Sequence, residues 1–403
     1  MKRRTLICAA AALAPLASAV ASTSSTPGTT TSPATTLRGT GDLGVVIERA
    51  SGSLTLVNTT TLETIGWVQG LGDLSHASVV FSRDERYAFV FGRDGGLTKV
   101  DLLTQSIVHR VMQAGNSIGG AITAKGNVIA AQNYTPGGVK LFCPKLNLLA
   151  DLPASTADGK PSRVVGLADL PQQRFIYSLF DADAICIADC SDPRKPRVTT
   201  LPHIGHQPYD ALITPNGRHY IAGLFGEDGL ALVDLWDEEP RARRILSGYG
   251  RGEAPLPVYK MPHLRGWAIA GPYAYLPAIG RHEVLVVDTT SWTEVARIPV
   301  AGQPVFVMAR PDGRQVWVNF SVPDYDKVQV IDTPSQRVVA TLHPGKAVMH
   351  MEFAPRGQSV WISCRDSNQV QVFDTHTQQL LASLSVNAPS GIFFTARAHR
   401  MGL

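Results

Sequence analysis

The sequence lacks the motifs of the common catalytic and redox centres. It has no Cys-x-x-Cys-His, which excludes covalent attachment of a c-type heme. It also has no Gly-x-Ser-x-Gly, no His-Glu-x-x-His, no phosphate-binding loop and no zinc-ligand spacing, so a self-contained hydrolase is disfavoured. Cysteine is scarce, and Cys186 and Cys190 stand too far apart in a strand-like run to form a disulfide. We therefore expect the cysteines of the folded part to be buried thiols.

Charge is also sparse, because charged residues make up only 17% of the chain. The formal net charge of +4 falls to +1 once the basic residues of the first few positions are set aside. No basic run and no interleaving of basic with aromatic residues is left in the body of the chain. A nucleic-acid partner is therefore not expected.

The first residues predict a signal peptide at residues 1–21. Lys2, Arg3 and Arg4 precede an apolar, alanine-rich stretch that ends in small residues suited to cleavage. Cys8 lies inside the apolar stretch, too early for lipid attachment, and no lipobox is present near the cleavage region. The pattern predicts export to the periplasm as a soluble protein.

Two further segments follow. Residues 22–40 are rich in Ser, Thr and Pro, a composition that cannot bury a core and predicts a flexible linker. Residues 41–403 carry the hydrophobic patterning of a folded domain.

One strand pattern recurs along the whole folded part. An alternating strand ends in an apolar residue followed by one more residue, usually Asp, and then a turn. The closing residues lie 42 to 54 positions apart and are Asn58, Asp101, Cys143, Asp189, Asp234, Asp288, Asp332 and Asp374. Repeats of this length predict an all-β fold, an eight-bladed β-propeller with four antiparallel strands in each blade.

The ends of the chain predict how the ring closes. The segment that begins GVVIERASGSLTLVN lacks a preceding inner strand, whereas PSGIFF near the C-terminus is an inner strand without a blade of its own. We expect the C-terminal strand to complete the first blade, which removes the open sheet edges that invite aggregation.

Candidate functional residues lie where inner strands begin, because those strands line the central channel. His76 could ligate a metal or heme iron, although a histidine bonded within the channel rim is the simpler alternative. His263 precedes another inner strand, and Arg265 could pair with an anionic ligand. Asp210 occupies the equivalent place in a blade between them.

Longer segments carry a resemblance to a known family. The run HASVVFSRDERYAFVFGRDGGLTKVDL resembles the start of the d1-heme propeller of cytochrome cd1 nitrite reductase. The segments YTPGG, GHQPYDALITPNGRHY, PHLRG and PSGIFF match that propeller in the same order, from about Asp42 to the end of the chain. Since the c-type heme domain is missing, the whole is similar to the periplasmic heme d1 biosynthesis proteins of denitrifying bacteria.

The resemblance implies specific roles for these residues. It makes His76 the proximal axial ligand of the heme iron and His263 one of two distal histidines. It also implies cofactor-binding positions around the heme carboxylates and the macrocycle, at Arg49, Arg93, Arg265 and Tyr134. From the residues alone, Arg49 and Arg93 could equally be surface charges.

Two departures from the reductase pattern change the expected chemistry. The arginine three residues after the axial histidine is replaced by Val79, and Asp210 stands near the place of the other distal histidine. Loss of half of the histidine pair argues against nitrite reduction. Asp210 and His263 could still act as a catalytic acid/base pair on the macrocycle.

The resulting hypothesis is a protein of heme d1 biosynthesis. It would bind heme d1 or a precursor such as dihydro-heme d1 at the channel mouth, and transform or deliver it for nitrite reductase maturation in denitrification. A non-catalytic tetrapyrrole carrier and a YVTN-like interaction scaffold without a cofactor stay open as alternatives. The resemblance also implies cytochrome cd1 nitrite reductase, other maturation proteins and a second copy of the chain as partners.

Overall fold

Every blade is a four-stranded antiparallel sheet in the computed structural model, which describes residues 39–250 and 266–402. Blades 1 to 4 contain β1 Leu43–Glu48, β2 Ser53–Asn58, β3 Glu63–Val68, β4 Ser78–Phe81, β5 Tyr87–Phe91, β6 Gly96–Asp101, β7 Ser106–Met112, β8 Asn116–Ile122, β9 Ile129–Thr135, β10 Val139–Phe142, β11 Leu148–Leu152, β12 Val164–Leu170, β13 Arg174–Leu179, β14 Ala184–Asp189 and β15 Arg197–Leu201. Blades 5 to 8 contain β16 Pro208–Ile213, β17 His219–Leu224, β18 Leu230–Asp234, β19 Ala242–Ile245, β20 Ala268–Ala270, β21 Tyr273–Ala278, β22 Glu283–Asp288, β23 Thr293–Pro299, β24 Pro304–Ala309, β25 Gln315–Phe320, β26 Val328–Asp332, β27 Arg337–Leu342, β28 Val348–Phe353, β29 Ser359–Cys364, β30 Gln369–Asp374 and β31 Leu380–Ser385, and β32 Pro389–Phe394 returns to blade 1.

Short 3-10 turns lie at Ile279–Arg281, Arg365–Ser367 and Thr395–His399. No helix in the described residues is long and apolar enough to cross a membrane. Residues 1–21 and most of the 22–40 linker lie outside the described residues, so the signal peptide and linker stay predictions.

The burial of the strands follows their position in the blade. Middle strands such as β29 are buried along their whole length, because neighbouring blades pack on both of their faces. Fourth strands such as β27 alternate exposed with half-buried residues, since they form the rim of the ring. The hydrophobic core therefore lies between blades, where for example the Trp361 and Phe394 rings meet edge to face at 5.5 Å.

The polar residue that closes the third strands builds a turn. In blade 6, Asp288 Oδ1 accepts the backbone N–H groups of Thr290 and Ser291 at 2.9 and 2.8 Å. Asn58 Oδ1 does the same in blade 1, at 2.8 Å from the nitrogen of Thr60. Such a side-chain turn sets the reversal into the fourth strand. The repeated Asp is therefore a structural feature of the blades.

The ring closes as expected from the two ends of the chain. β32 pairs antiparallel with β1, with Phe394 opposite Gly44 and Ile392 opposite Val46. Just after the strand, the Thr395 hydroxyl donates to the backbone carbonyl groups of Thr40 and Leu43. The prediction of an eight-bladed propeller completed by its C-terminal strand is confirmed.

The strand order fixes which loops share an end of the ring. The loop that leads into each first strand and the loop that joins the second strand to the third lie at the same end, because adjacent strands are antiparallel. We call this end the loop face. The opposite end, where first strands finish, is the far end. In blade 1, β32 holds the place of the first strand and β1 that of the second.

The turn that follows β30 provides a test of this account of the repeat. Asp374 Oδ1 accepts the backbone N–H groups of His376 and Thr377 at 2.8 and 2.7 Å. We expect Asp374→Ala to lower the free energy of unfolding by about 1–2 kcal/mol, since all three hydrogen bonds that the carboxylate accepts, including one from the Thr377 hydroxyl, are lost. Urea unfolding followed by tryptophan fluorescence measures the change.

Asp374→Asn is the matched control, because Asn58 makes the same turn in blade 1. It should retain most of the stability. The backbone N–H of Thr377 holds the pKa of Asp374 below its usual range, so the aspartate contributes fully above about pH 4 and less on acidification. Equal losses in the alanine and asparagine variants would contradict the account.

Candidate functional site

His76 lies on the loop face, in the exposed loop that leads into β4. The loop is shaped by Asp73, whose Oδ1 accepts the backbone N–H of Ser75 at 2.8 Å. The backbone carbonyl of Asp73 accepts the N–H of Arg93 at 2.8 Å, which joins this loop to the turn after β5. The position of His76 is therefore tied to that of Arg93.

Two of the predicted arginines lie in neighbouring loops. Arg93 follows β5 and Arg49 follows β1, so both belong to loops of the loop face. Hydrogen bonds from Ser75 lower the pKa of the Asp73 carboxyl below its usual range, and the positive charges of Arg93 and Arg49 lower it further. The two guanidinium groups therefore lie near the Asp73 carboxylate, in the loop that also carries His76.

Tyr134 adds an aromatic hydroxyl beside Arg93. The Arg93 guanidinium lies 6.0 Å from the centre of the Tyr134 ring, and the Tyr134 and Tyr209 hydroxyls are 2.9 Å apart. Burial raises the pKa of Tyr134 well above its usual value and raises that of Tyr209 as well. Both phenols are neutral at physiological pH and can exchange hydrogen bonds with a ligand.

Tyr209 also belongs to an aromatic wall, defined here as Phe180, Tyr209 and Phe225. Their ring centres lie 5.7 to 6.1 Å apart. The Arg163 guanidinium lies 4.1 Å from the centre of the Phe180 ring and is held there by a two-point contact with Asp181. The rings pack at interplanar angles of 50° to 78° and form an apolar cluster with the Arg163 cation at its edge.

Asp210 follows Tyr209 on β16 and is half-buried. The pairing of β16 with β17 shifts register between Pro208 and Ala211, and such a bulge redirects the side chains within it. Asp210 Oδ1 accepts the N–H of Ala211 at 2.9 Å, and its charge acts on both Tyr134 and Tyr209. Asp210 therefore borders the tyrosine pair.

His263 and Arg265 lie outside the described residues, so the structure does not place the acid/base partner predicted for Asp210 or the third predicted arginine. Their roles stay predictions. In the residues that are described, no group of three or more His, Cys, Asp or Glu side chains could hold a metal ion. An iron atom that a macrocycle already coordinates needs only one histidine ligand from the protein.

Several residues of the loop face escaped the sequence interpretation. Phe180 and Phe225 end strongly apolar runs, so in sequence they are indistinguishable from core positions. His206 lies two residues before β16, as His76 lies two residues before β4, and its Nδ1 is 3.2 Å from Asp183 Oδ2. Alignment of the loops that lead into first strands would have identified His206.

Comparison with known proteins places this site in a family. The model of the Cytochrome D1 heme domain family matches residues 38–398. Protein NirF of Stutzerimonas stutzeri is 60% identical over 370 residues, which cover 91% of this chain and 95% of the relative. Protein NirF of Pseudomonas aeruginosa is 58% identical over 370 residues, with 91% and 94% covered.

More distant relatives share the fold. The dihydro-heme d1 dehydrogenase of P. aeruginosa is 25% identical over 360 residues, 87% of this chain and 70% of the relative. The solved structure of dihydro-heme d1 dehydrogenase NirN in complex with DHE superposes with a TM-score of 0.77 at 23% identity, covering 89% of this chain and 76% of that one. AztD from Citrobacter koseri reaches a TM-score of 0.62 at 11% identity, covering 87% of this chain and 96% of that one.

The family match runs from the start of the described fold almost to the C-terminus, and the two NirF relatives align over nearly their whole length. The same span contains the loop-face cluster, defined as Arg49, His76, Arg93, Tyr134, Asp210 and the aromatic wall. The chain therefore belongs to the cytochrome d1 heme domain family and, within it, to the NirF proteins.

Proposed function

We propose that this protein takes part in heme d1 biosynthesis by binding a d1-type tetrapyrrole, such as heme d1 or dihydro-heme d1, at the loop face. The observation that carries the proposal is the loop-face cluster of a NirF-family chain. It combines an exposed histidine, two arginines near the Asp73 carboxylate of the same loop and an aromatic wall at one end of the ring.

The residues of the cluster match the chemistry of such a ligand. The flat apolar macrocycle suits the wall of Phe180, Tyr209 and Phe225. Its carboxylates suit Arg49 and Arg93, since guanidinium groups pair with carboxylates through two parallel hydrogen bonds. His76 would hold the iron, and the bound tetrapyrrole would present its own reactive positions to the neighbouring side chains.

Biosynthesis or delivery fits these residues better than nitrite reduction. Asp210 stands near the expected place of a second distal histidine, and the sequence has no c-type heme motif through which electrons could enter. A half-buried carboxylate beside two neutral tyrosines can instead accept or donate a proton on a bound macrocycle. Delivery of the product to cytochrome cd1 nitrite reductase would complete the proposed role.

We also propose that the protein acts in the periplasm, where the signal peptide predicted at residues 1–21 would direct it. N-terminal sequencing of the protein from fractionated cells checks this. A periplasmic chain that starts near residue 22 supports export, and an intact chain confined to the cytoplasm contradicts it.

Heme ligation by His76 can be tested by visible spectroscopy. Heme d1 titrated into the purified protein should give a shifted spectrum, and His76→Ala should remove that shift and weaken binding about tenfold, as loss of one ligand bond predicts. His109→Ala is the control, because His109 is exposed on the outer strand β7. A spectrum unaffected by the His76 substitution would refute the ligation.

Recognition of the carboxylates can be separated from stacking on the aromatic wall. Arg49→Gln and Arg93→Gln should each weaken binding of the free-acid tetrapyrrole about tenfold, since each removes a charge-assisted contact. The same substitutions should leave binding of the methyl-esterified tetrapyrrole nearly unchanged, and Arg337→Gln on the rim strand β27 should affect neither ligand. Equal losses with acid and ester would contradict a carboxylate contact.

Asp210 distinguishes a transforming protein from a carrier. Asp210→Asn keeps the size of the side chain and removes its ability to transfer a proton at neutral pH. We expect the variant to bind the tetrapyrrole with an affinity within a few-fold of the wild type but to lose heme d1 production in cells. Production that falls only in proportion to affinity across a series of Asp210 variants would identify a carrier instead.

A further inference from the structure

A second polar site lies within the channel, apart from the loop-face cluster. A cavity of about 40 Å³ borders the inner strands β4 and β8, and Arg83 and Arg400 line it at the far end of the ring. Its polar lining consists of Ser78, Arg83, Asp169, Arg397 and Arg400. We call this space the channel cavity.

The lining carries an excess of positive charge. Arg397 is compensated by Glu352, whose two carboxylate oxygens accept its Nε and Nη2 at 2.8 and 2.7 Å. The positive charges of Arg83 and Arg400 are then opposed by Asp169, which is the one acidic side chain of the lining. The cavity therefore has a net charge of about +1, which one monovalent anion would balance.

Arg83 has an unused donor inside this space. Its Nη2 donates to the backbone carbonyls of Ile122 and Thr123 at 3.1 and 2.7 Å, which are neutral acceptors. Its Nε is buried and has no hydrogen-bond partner within the part of the chain that the structure describes. Burial lowers the pKa of the Arg83 guanidinium, as expected for a charge that has given up hydration.

The Ser78 hydroxyl is a second buried polar group without a partner within the described ranges, and it lies nearer the loop face than Arg83. Its Oγ is buried and likewise finds no partner among the described residues, although it also lines the cavity. Buried polar groups in folded proteins are satisfied by protein, water or a ligand in the great majority of cases. Two unused donors in one positively charged cavity point to a bound species that accepts hydrogen bonds.

We propose that the channel cavity binds a small monovalent oxyanion, of the carboxylate or nitrate type, on Arg83 and Arg400. Arg83 Nε donates to one of its oxygens and the Arg400 guanidinium closes the site from the far end. His76 precedes β4 at the loop face, whereas Arg83 follows β4 at the far end. The anion site is therefore separate from the proposed tetrapyrrole site.

Isothermal titration of sodium nitrate and of sodium formate into the full-length protein, in low-salt buffer at neutral pH, tests the proposal. Saturable binding of one anion per chain and a rise in the unfolding temperature are expected. Arg83→Gln and Arg400→Gln should each weaken binding at least tenfold. The second variant keeps the test decisive if the first misfolds, because Arg400 is exposed.

Two control variants locate the anion. Arg356→Gln changes an exposed arginine at the far end that does not line the cavity, and should leave binding unchanged. Arg93→Gln should also leave it unchanged, whereas loss of binding there would move the anion to the loop face and overturn the proposal. Absence of saturable binding would identify a site for water alone, and binding that survives both cavity substitutions would place the anion elsewhere on the protein. Either result would overturn the proposal.

Discussion

The pairing of β32 with β1 is the constraint on which the rest of this structure depends. It joins the two ends of the described chain in a single sheet and gives blade 1 the first strand that β1, β2 and β3 lack. The contact is close, because a Cβ added at Gly44 would lie 2.6 Å from Cδ1 of Phe394. A glycine at this position lets the Phe394 ring seal the blade, and the ion pair between Arg397 and the buried Glu352 holds the segment that follows.

Closure of the ring also creates the two polar regions of the channel. It brings the loop after β1, which carries Arg49, next to the loop of blade 2 that carries His76. At the other end it places Arg397 and Arg400 of the C-terminal segment against Arg83 of blade 2. Residues more than 300 positions apart in the sequence thus share one cavity. A propeller that failed to close would lose both regions together.

The fold could be predicted from the sequence because most blades repeat the same local side-chain turn. The Asp or Asn that ends most third strands makes its turn with the next few residues, so the spacing of these residues counts the blades. His76, Arg49 and Arg93 could be singled out because they stand beside strand ends in motifs with a known resemblance. Phe180 and Phe225 could not, since their role arises only when neighbouring blades bring them together. The position of His206 could be found from the sequence, but its contact with Asp183 could not.

The central claim is that the loop face holds a d1-type tetrapyrrole between His76, the arginines and the aromatic wall. A crystal structure of the protein soaked with heme d1 tests it most directly. The account predicts the macrocycle over the loop face, with the iron on His76 and the carboxylates against Arg49 and Arg93. A macrocycle bound at the far end or on the rim, with the loop face empty, would contradict it.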